Sequence, residues 1–240
     1  MINFAHRGAS FDYPENTMLA LKEGIKSGAK GLEIDVHKSK DNKLVIIHDE
    51  DIQRTFIGRG LVKDFTLEEL KSFKNRKKLF RDNDECHIPT LEEVLNLIED
   101  IDILLNIELK TDVIHYPGIE EDVVNLIKNY GIEDKIILSS FNHESIKKVK
   151  AISSIKTGIL YEKPIKDVVQ YARSLGSYAI HPDLRLVSQE LIEEAHKNNL
   201  KVNIFTVNNP IYMRLLIENK ADGVFTDYPE LLSEIMKENN

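Results

Sequence analysis

From Thr90 onward the chain alternates helix-like stretches with short apolar runs, and that alternation leaves few folds open. With two apolar runs near the N-terminus included, strand starts fall at Ile2, Gly31, Ile103, Lys135, Lys156, Tyr178, Lys201 and Asp222, which makes eight. From Ile103 on they lie 21 to 32 residues apart, room for one strand, one helix and two loops. The later helices read as Glu120–Tyr130, His143–Ile152, Ile165–Leu175, Ser188–Asn198, Pro210–Asn219 and Pro229–Lys237, with Pro210 and Pro229 suited to first-turn positions. Thr66-Leu67-Glu68-Glu69 and Thr90-Leu91-Glu92-Glu93 have the spacing of capping boxes, and either Asn16 or Thr17 can cap the helix over Met18 to Ser27. Eight strands alternating with helices predict an α/β fold, a closed parallel TIM (β/α)8 barrel. An open doubly wound sheet competes, but it carries a glycine-rich loop after its first strand, and here His6-Arg7-Gly8 stands there. The interval from Gly31 to Ile103 is too long for one unit. The chain therefore reads as a single domain, 1–240, with a small inserted subdomain at 50–89 after the second barrel strand.

Within that frame the run Gly31 to His37 alternates Leu32, Ile34 and Val36 with Glu33, Asp35 and His37. Side chains two apart share a strand face, so Glu33 and Asp35 project side by side. Carboxylates that close repel unless a cation or a proton sits between them. The run Leu104 to Lys110 repeats the device with Asn106, Glu108 and Lys110. Glu33, Asp35 and Glu108 together form a seat for a hard divalent cation. The competing reading is a solvent-facing edge strand.

The balance of 32 Lys and Arg against 40 Asp and Glu leaves −8 and argues against a nucleic-acid surface. An acidic chain that binds phosphate must gather positive charge locally, and Arg7 and Lys110 stand at strand ends where it would be needed. Cys86 is the only cysteine. No leader-like N-terminus and no run near 20 apolar residues is present, so the expectation is a cytoplasmic protein without stable membrane insertion. Monomer and homodimer both stay open.

A barrel enzyme keeps its site at the C-terminal ends of its strands. There the chain places His6-Arg7, Glu33-Asp35, Glu108-Lys110, Ser139-Ser140-Phe141, His181, Phe205-Thr206 and Thr226-Asp227, with His48-Asp49 ending a hairpin strand over Leu44 to Ile47. His6 and His48 can act as general acid and base near neutrality. A histidine-carboxylate zinc site is the alternative, but three carboxylates already supply an oxygen-only set. His37, His87, His115, His143 and His196 read as surface or structural, and Arg76-Lys77-Lys78 as a solvated face.

In the order His6-Arg7-Gly8, Glu15-Asn16-Thr17, Glu33-x-Asp35-Val36, His48-Asp49, Arg54-Thr55, Asn106-x-Glu108-x-Lys110, Ser140-Phe141, Thr206-Val207-Asn208 and Thr226-Asp227-x-Pro229, the whole chain resembles the glycerophosphodiester phosphodiesterases. The resemblance implies a barrel with a small insertion and metal ligation by Glu33, Asp35 and Glu108, with magnesium or calcium as the usual ion and manganese a third possibility. It implies His6 and His48 as the acid/base pair and Arg7 and Lys110 as phosphate contacts. Phe205 stands where the family commonly has Trp, which keeps an aromatic wall of the glycerol pocket but loses the indole donor. The implied reaction is hydrolysis of a small glycerophosphodiester to sn-glycerol 3-phosphate and an alcohol, one route being a cyclic phosphate formed by the glycerol 2-hydroxyl. The rivals are a phospholipase- or sphingomyelinase-like enzyme acting on intact lipids, and a phosphodiester-binding protein without catalysis.

Overall fold

The computed structural model describes residues 1–238. Asn239 and Asn240, the last two residues of the expected 1–240 domain, lie outside the described residues. In chain order the elements are β1 (Ile2–His6), α1 (Met18–Lys26), β2 (Gly31–Lys38), β3 (Leu44–Ile46), α2 (Leu67–Ser72), α3 (Leu91–Ile98), β4 (Leu104–Leu109) and α4 (Ile119–Tyr130). They continue with β5 (Ile136–Ser140), α5 (His143–Ile152), β6 (Lys156–Tyr161), α6 (Val168–Ser174), β7 (Ala179–Pro182), α7 (Gln189–Lys197), β8 (Lys201–Ile204), α8 (Pro210–Glu218), β9 (Gly223–Thr226) and α9 (Pro229–Glu238).

Eight strands are parallel and close on themselves, because β1 pairs with β9 on one side and β2 on the other. This is the expected TIM barrel. β3 runs antiparallel on the far end of β2, Val36 opposite Ile46, so β2 is no edge strand. The sequence boundaries shift where local turns intervene. Glu133–Lys135 forms a 3-10 turn, so β5 starts at Ile136, and β7 lies one residue later than the apolar run suggested. α6 is shorter than Ile165–Leu175, since Asp167 takes a left-handed conformation (φ 50°) immediately before it and Leu175 caps it.

Leu32, Ile34 and Val36 of β2 and Leu105, Ile107 and Leu109 of β4 face outward into one apolar cluster with Leu91, Val94 and Leu95 of α3 and Val123 of α4. Burying each such side chain fully is worth roughly 1.5–3 kcal/mol. Inside the barrel Phe4 stacks on Phe225 with ring centroids 4.8 Å apart. Gly31 makes room for this: a Cβ there would come within 2.2 Å of the Phe4 ring. Gly158 does the same for His181, at 2.5 Å.

Between β3 and α3, Val45, Ile47, Ile52, Phe56, Val62, Leu70 and Ile88 bury a small core of their own. Both capping boxes are formed, at Thr66 with Glu69 and at Thr90 with Glu93. Arg76, Lys77 and Lys78 are exposed, as the solvated face expected of them, and two of these side chains also bond backbone carbonyls. Arg76 donates to the carbonyls of Gln53 and Phe56 (3.0 and 3.3 Å), and Lys77 to those of Phe11 and Tyr13 (3.4 and 3.0 Å). Carbonyls left free by irregular backbone need donors, and these two side chains supply them. Among the described residues no helix is long and apolar enough to cross a membrane.

Candidate active site

Parallel pairing assembles the site. β2 and β4 run in register with Glu33 beside Asn106 and Asp35 beside Glu108, while β1 sets His6 beside Glu33. One carboxylate oxygen from each of Glu33, Asp35 and Glu108 lies within 4.8 Å of the others, and all three residues are buried. Two cations reach them. Arg7 Nε is 3.3 Å from Asp35 Oδ2, and Lys110 Nζ donates to Glu108 Oε1 at 2.8 Å.

Three charges this close cannot be equally comfortable. Burial opposes the charge on Asp35, but Arg7, His48 and Lys110 and a hydrogen bond from Asn16 (2.8 Å) bring it down to about 2. Glu33 goes the other way: burial, then the neighbouring Asp35 charge, pushes its carboxyl well above the ordinary range. Glu108 is raised for the same reasons, in the same order. Asp35 Oδ1 is buried with no hydrogen-bond partner. An orphaned carboxylate oxygen between two carboxyls that resist ionising is an arrangement that a hard divalent cation would complete, and the all-oxygen donors fit one.

The two histidines face this cluster. His6 Nδ1 lies 2.6 Å from Asp227 Oδ1 and His48 Nδ1 2.6 Å from Asp49 Oδ1. An ionised carboxylate only accepts, so each ring carries its proton on Nδ1 and leaves Nε2 as the acceptor nitrogen. His6 Nε2 looks toward Glu33 Oε2 at 3.9 Å, and His48 Nε2 toward Lys110 Nζ at 3.5 Å. Burial, then the Arg7 charge, lowers the His6 pKa despite the raising effect of Asp227. Arg7 takes a left-handed backbone conformation (φ 56°), which costs about 1 kcal/mol or more in a non-glycine residue. It is held there by its own N–H, which donates to Glu33 Oε2 at 3.0 Å.

A cavity of about 450 Å³ opens over these groups, lined among others by His6, Arg7, Glu33, His48, Glu108 and Phe205. Phe205 meets Phe141 edge-on at 5.7 Å to form an aromatic wall. Asp35 and Lys110 sit just behind the lining, bonded to residues that form it. His181, at a strand end, is excluded: it is fully buried, takes a hydrogen bond from Asn203 (3.0 Å), and burial drives its pKa down to about 3. His37 bonds Tyr116 (2.9 Å) and the His48 carbonyl (3.1 Å) and is structural.

Residues 6–231 match the model of the glycerophosphoryl diester phosphodiesterase family. The chain belongs to that family. It is 42% identical over 234 residues to a glycerophosphodiester phosphodiesterase of Caldanaerobacter subterraneus subsp. tengcongensis, covering 97% of this chain and 96% of the relative. An enzyme of the same name from Bacillus altitudinis is 37% identical, covering 98% of each chain. A solved structure of an Oleispira antarctica phosphodiesterase, in complex with the product sn-glycerol-3-phosphate, superposes with a TM-score of 0.87 at 29% identity, covering 98% of this chain and 96% of that one. This chain is accordingly a glycerophosphodiester phosphodiesterase.

Four residues serve the site in ways that the sequence alone did not mark, Asn16 among them only as a possible helix cap. Asp227 and Asp49 follow strand ends and orient the two imidazoles. Asn16 leaves the capping of α1 to Thr17 and bonds Asp35 instead. Glu15 takes Arg7 Nη1 at 3.0 Å. A carboxylate directly after a histidine or a strand end was the available signal for the first two. The other two follow from where the β1–α1 loop lands.

Proposed function

We propose that the enzyme hydrolyses small glycerophosphodiesters to sn-glycerol 3-phosphate and an alcohol, by acid/base catalysis from His6 and His48 beside a divalent cation. The observation that carries this reading is one cavity lined by both histidines and by Glu33 and Glu108, with Asp35, the third buried carboxylate of the cluster, just behind it. Glu33, Asp35 and Glu108 would hold magnesium or calcium, with manganese a further candidate. When bound, the cation supplies positive charge against the phosphate and eases deprotonation of a nearby hydroxyl. Arg7 and Lys110 add fixed positive charge as negative charge develops on the phosphate oxygens.

One imidazole Nε2 takes the proton of the attacking oxygen, which comes from water or from the glycerol 2-hydroxyl. The new oxygen–phosphorus bond forms as the bond to the head-group oxygen breaks. The other histidine, protonated, gives its proton to that departing oxygen. After a 2-hydroxyl attack, water opens the cyclic phosphate with the two roles exchanged. Phe205 and Phe141 wall the cavity against which the substrate packs. A cavity of about 450 Å³ suits a small diester better than a lipid carrying acyl chains.

The test is release of glycerol 3-phosphate from glycerophosphocholine and glycerophosphoethanolamine by metal-stripped protein, with magnesium, calcium, manganese and zinc added back singly. Release that depends on an added hard cation supports the reading. Undiminished release from stripped protein removes the cation. Activity confined to micellar lipid would transfer the enzyme to the phospholipase class.

A further inference from the structure

The stretch that follows His48 returns to the site through one side chain. Arg54 Nε and Nη2 donate to the two oxygens of Asp49 at 2.6 and 3.0 Å. Its Nη1 and Nη2 donate to the two oxygens of Glu15 at 2.6 and 2.7 Å. Asp49 is the carboxylate that holds the His48 ring, and Glu15 is the one that holds Arg7. A single guanidinium therefore stands midway along a chain in which nitrogen donors alternate with carboxylates, His48–Asp49–Arg54–Glu15–Arg7. A planar fork can serve two carboxylates bidentately, and a lysine ammonium cannot.

We propose that Arg54 is a positioning residue for the reaction, clamping Asp49 to Glu15 and thereby setting the His48 ring and the Arg7 guanidinium together. The proposal rests on the roles given above to His48 and Arg7.

Holding the segment in place does not require Arg54. Lys77 ties it to the carbonyls of Phe11 and Tyr13, Arg76 braces it internally, Glu85 pairs with Lys22 of α1, and it has its own apolar core. The Arg54 side chain is 46% exposed, so its loss opens no core cavity. The contribution of Arg54 is charge and geometry. Burial opposes ionisation of both Asp49 and Glu15, and hydrogen bonds from their cationic neighbours, Arg54 among them, still hold both below the ordinary carboxylate range. Without Arg54 the two carboxylates lose the cation between them. They separate, and each takes its catalytic partner along. A displacement near 1 Å at a reacting group costs on the order of 100-fold in rate.

The experiment compares Arg54→Ala and Arg54→Lys with Arg76→Ala, an arginine of the same segment bonded only to backbone carbonyls. With a divalent cation present, kcat on glycerophosphocholine falls ~10- to 100-fold in Arg54→Ala, KM rises as Arg7 is released, and Tm stays near wild type. Arg54→Lys restores little of the rate. Adding Asp49→Asn to Arg54→Ala brings no further loss beyond the larger single effect. Imidazole 15N spectra read the His48 ring without turnover and show its Nδ1-protonated form losing dominance in Arg54→Ala. Normal kcat in both Arg54 variants beside an inactive His48→Ala overturns the clamp. Parallel losses of rate and Tm in Arg54→Ala and Arg76→Ala overturn it too, as do multiplicative losses in the double variant or an unaltered His48 spectrum. A fully active His48→Ala removes instead the assignment on which the clamp is built.

Discussion

Replacing Glu33 with Gln sets function against stability in a way that can be measured. Glu33 accepts the Arg7 backbone N–H, but among the described residues no lysine or arginine side chain pairs with it. It faces Asp35 and Glu108 within 4.8 Å, where each like-charged pair costs about 3 kcal/mol at an effective dielectric near 20. In the metal-free protein burial and the Asp35 charge therefore favour the protonated carboxyl. Holding a proton at pH 7 on a group whose ordinary value is 4.5 costs about 3 kcal/mol, which caps the penalty. Gln carries no charge, retains an acceptor for the Arg7 N–H, and removes that penalty. Metal-free Glu33→Gln is therefore more stable than wild type by up to about 3 kcal/mol, or about 6–12 °C in Tm for a chain of this size. The pH dependence has a definite sign. The folded pKa of Glu33 is raised, so as pH climbs above 4.5 the unfolded chain loses this proton first. Metal-free wild type then loses stability with rising pH until Glu33 itself ionises, and the variant lacks that part of the slope. Magnesium or calcium at 100 times Kd adds about 2.7 kcal/mol to wild type and much less to the variant, so the order of stability narrows or reverses. The assay is thermal unfolding of stripped and metal-loaded proteins from pH 5 to 8. A lower metal-free Tm for Glu33→Gln, or metal stabilisation equal to wild type, would refute the reasoning.

His6→Ala and His48→Ala each lower kcat at least ~100-fold while metal titration and folding stay close to wild type; near-normal turnover in both would end the two-histidine assignment. Glu108→Gln weakens metal affinity, read by calorimetric titration, and an unchanged isotherm would strike it from the ligand set. Asp227→Asn leaves the fold in place but lets the His6 ring choose the wrong tautomer, so kcat falls by ~10-fold or more with little change in KM; retention of full kcat would show that Asp227 does not orient the ring.

The barrel and its carboxylates were legible because both are written locally. Leu32, Ile34 and Val36 mark the outer face of β2, and the same alternation places Glu33 and Asp35 on the inner one. What stayed hidden depends on partners far along the chain. Asn16 and Thr17 are both good caps, and only the bond from Asn16 to Asp35 decides between them. Arg76 and Lys77 are exposed as the sequence suggests, but the backbone carbonyls they bond carry no mark in a sequence. His181 has the composition of a site residue, and its burial against the space left by Gly158 is visible only once the barrel has closed.

The pairing of β1 with β9 has a consequence for the time at which the enzyme becomes competent. His6 is synthesised well before Asp227, which holds its ring from 221 positions further along the chain. Asn3 likewise waits for Pro229 and Ser233 of α9, the groups its amide bonds in the closed barrel. Until that stretch is made, the His6 ring has no Asp227 to orient it. Chains that stop short of β9 therefore carry the three clustered carboxylates without the residue that orients the His6 ring.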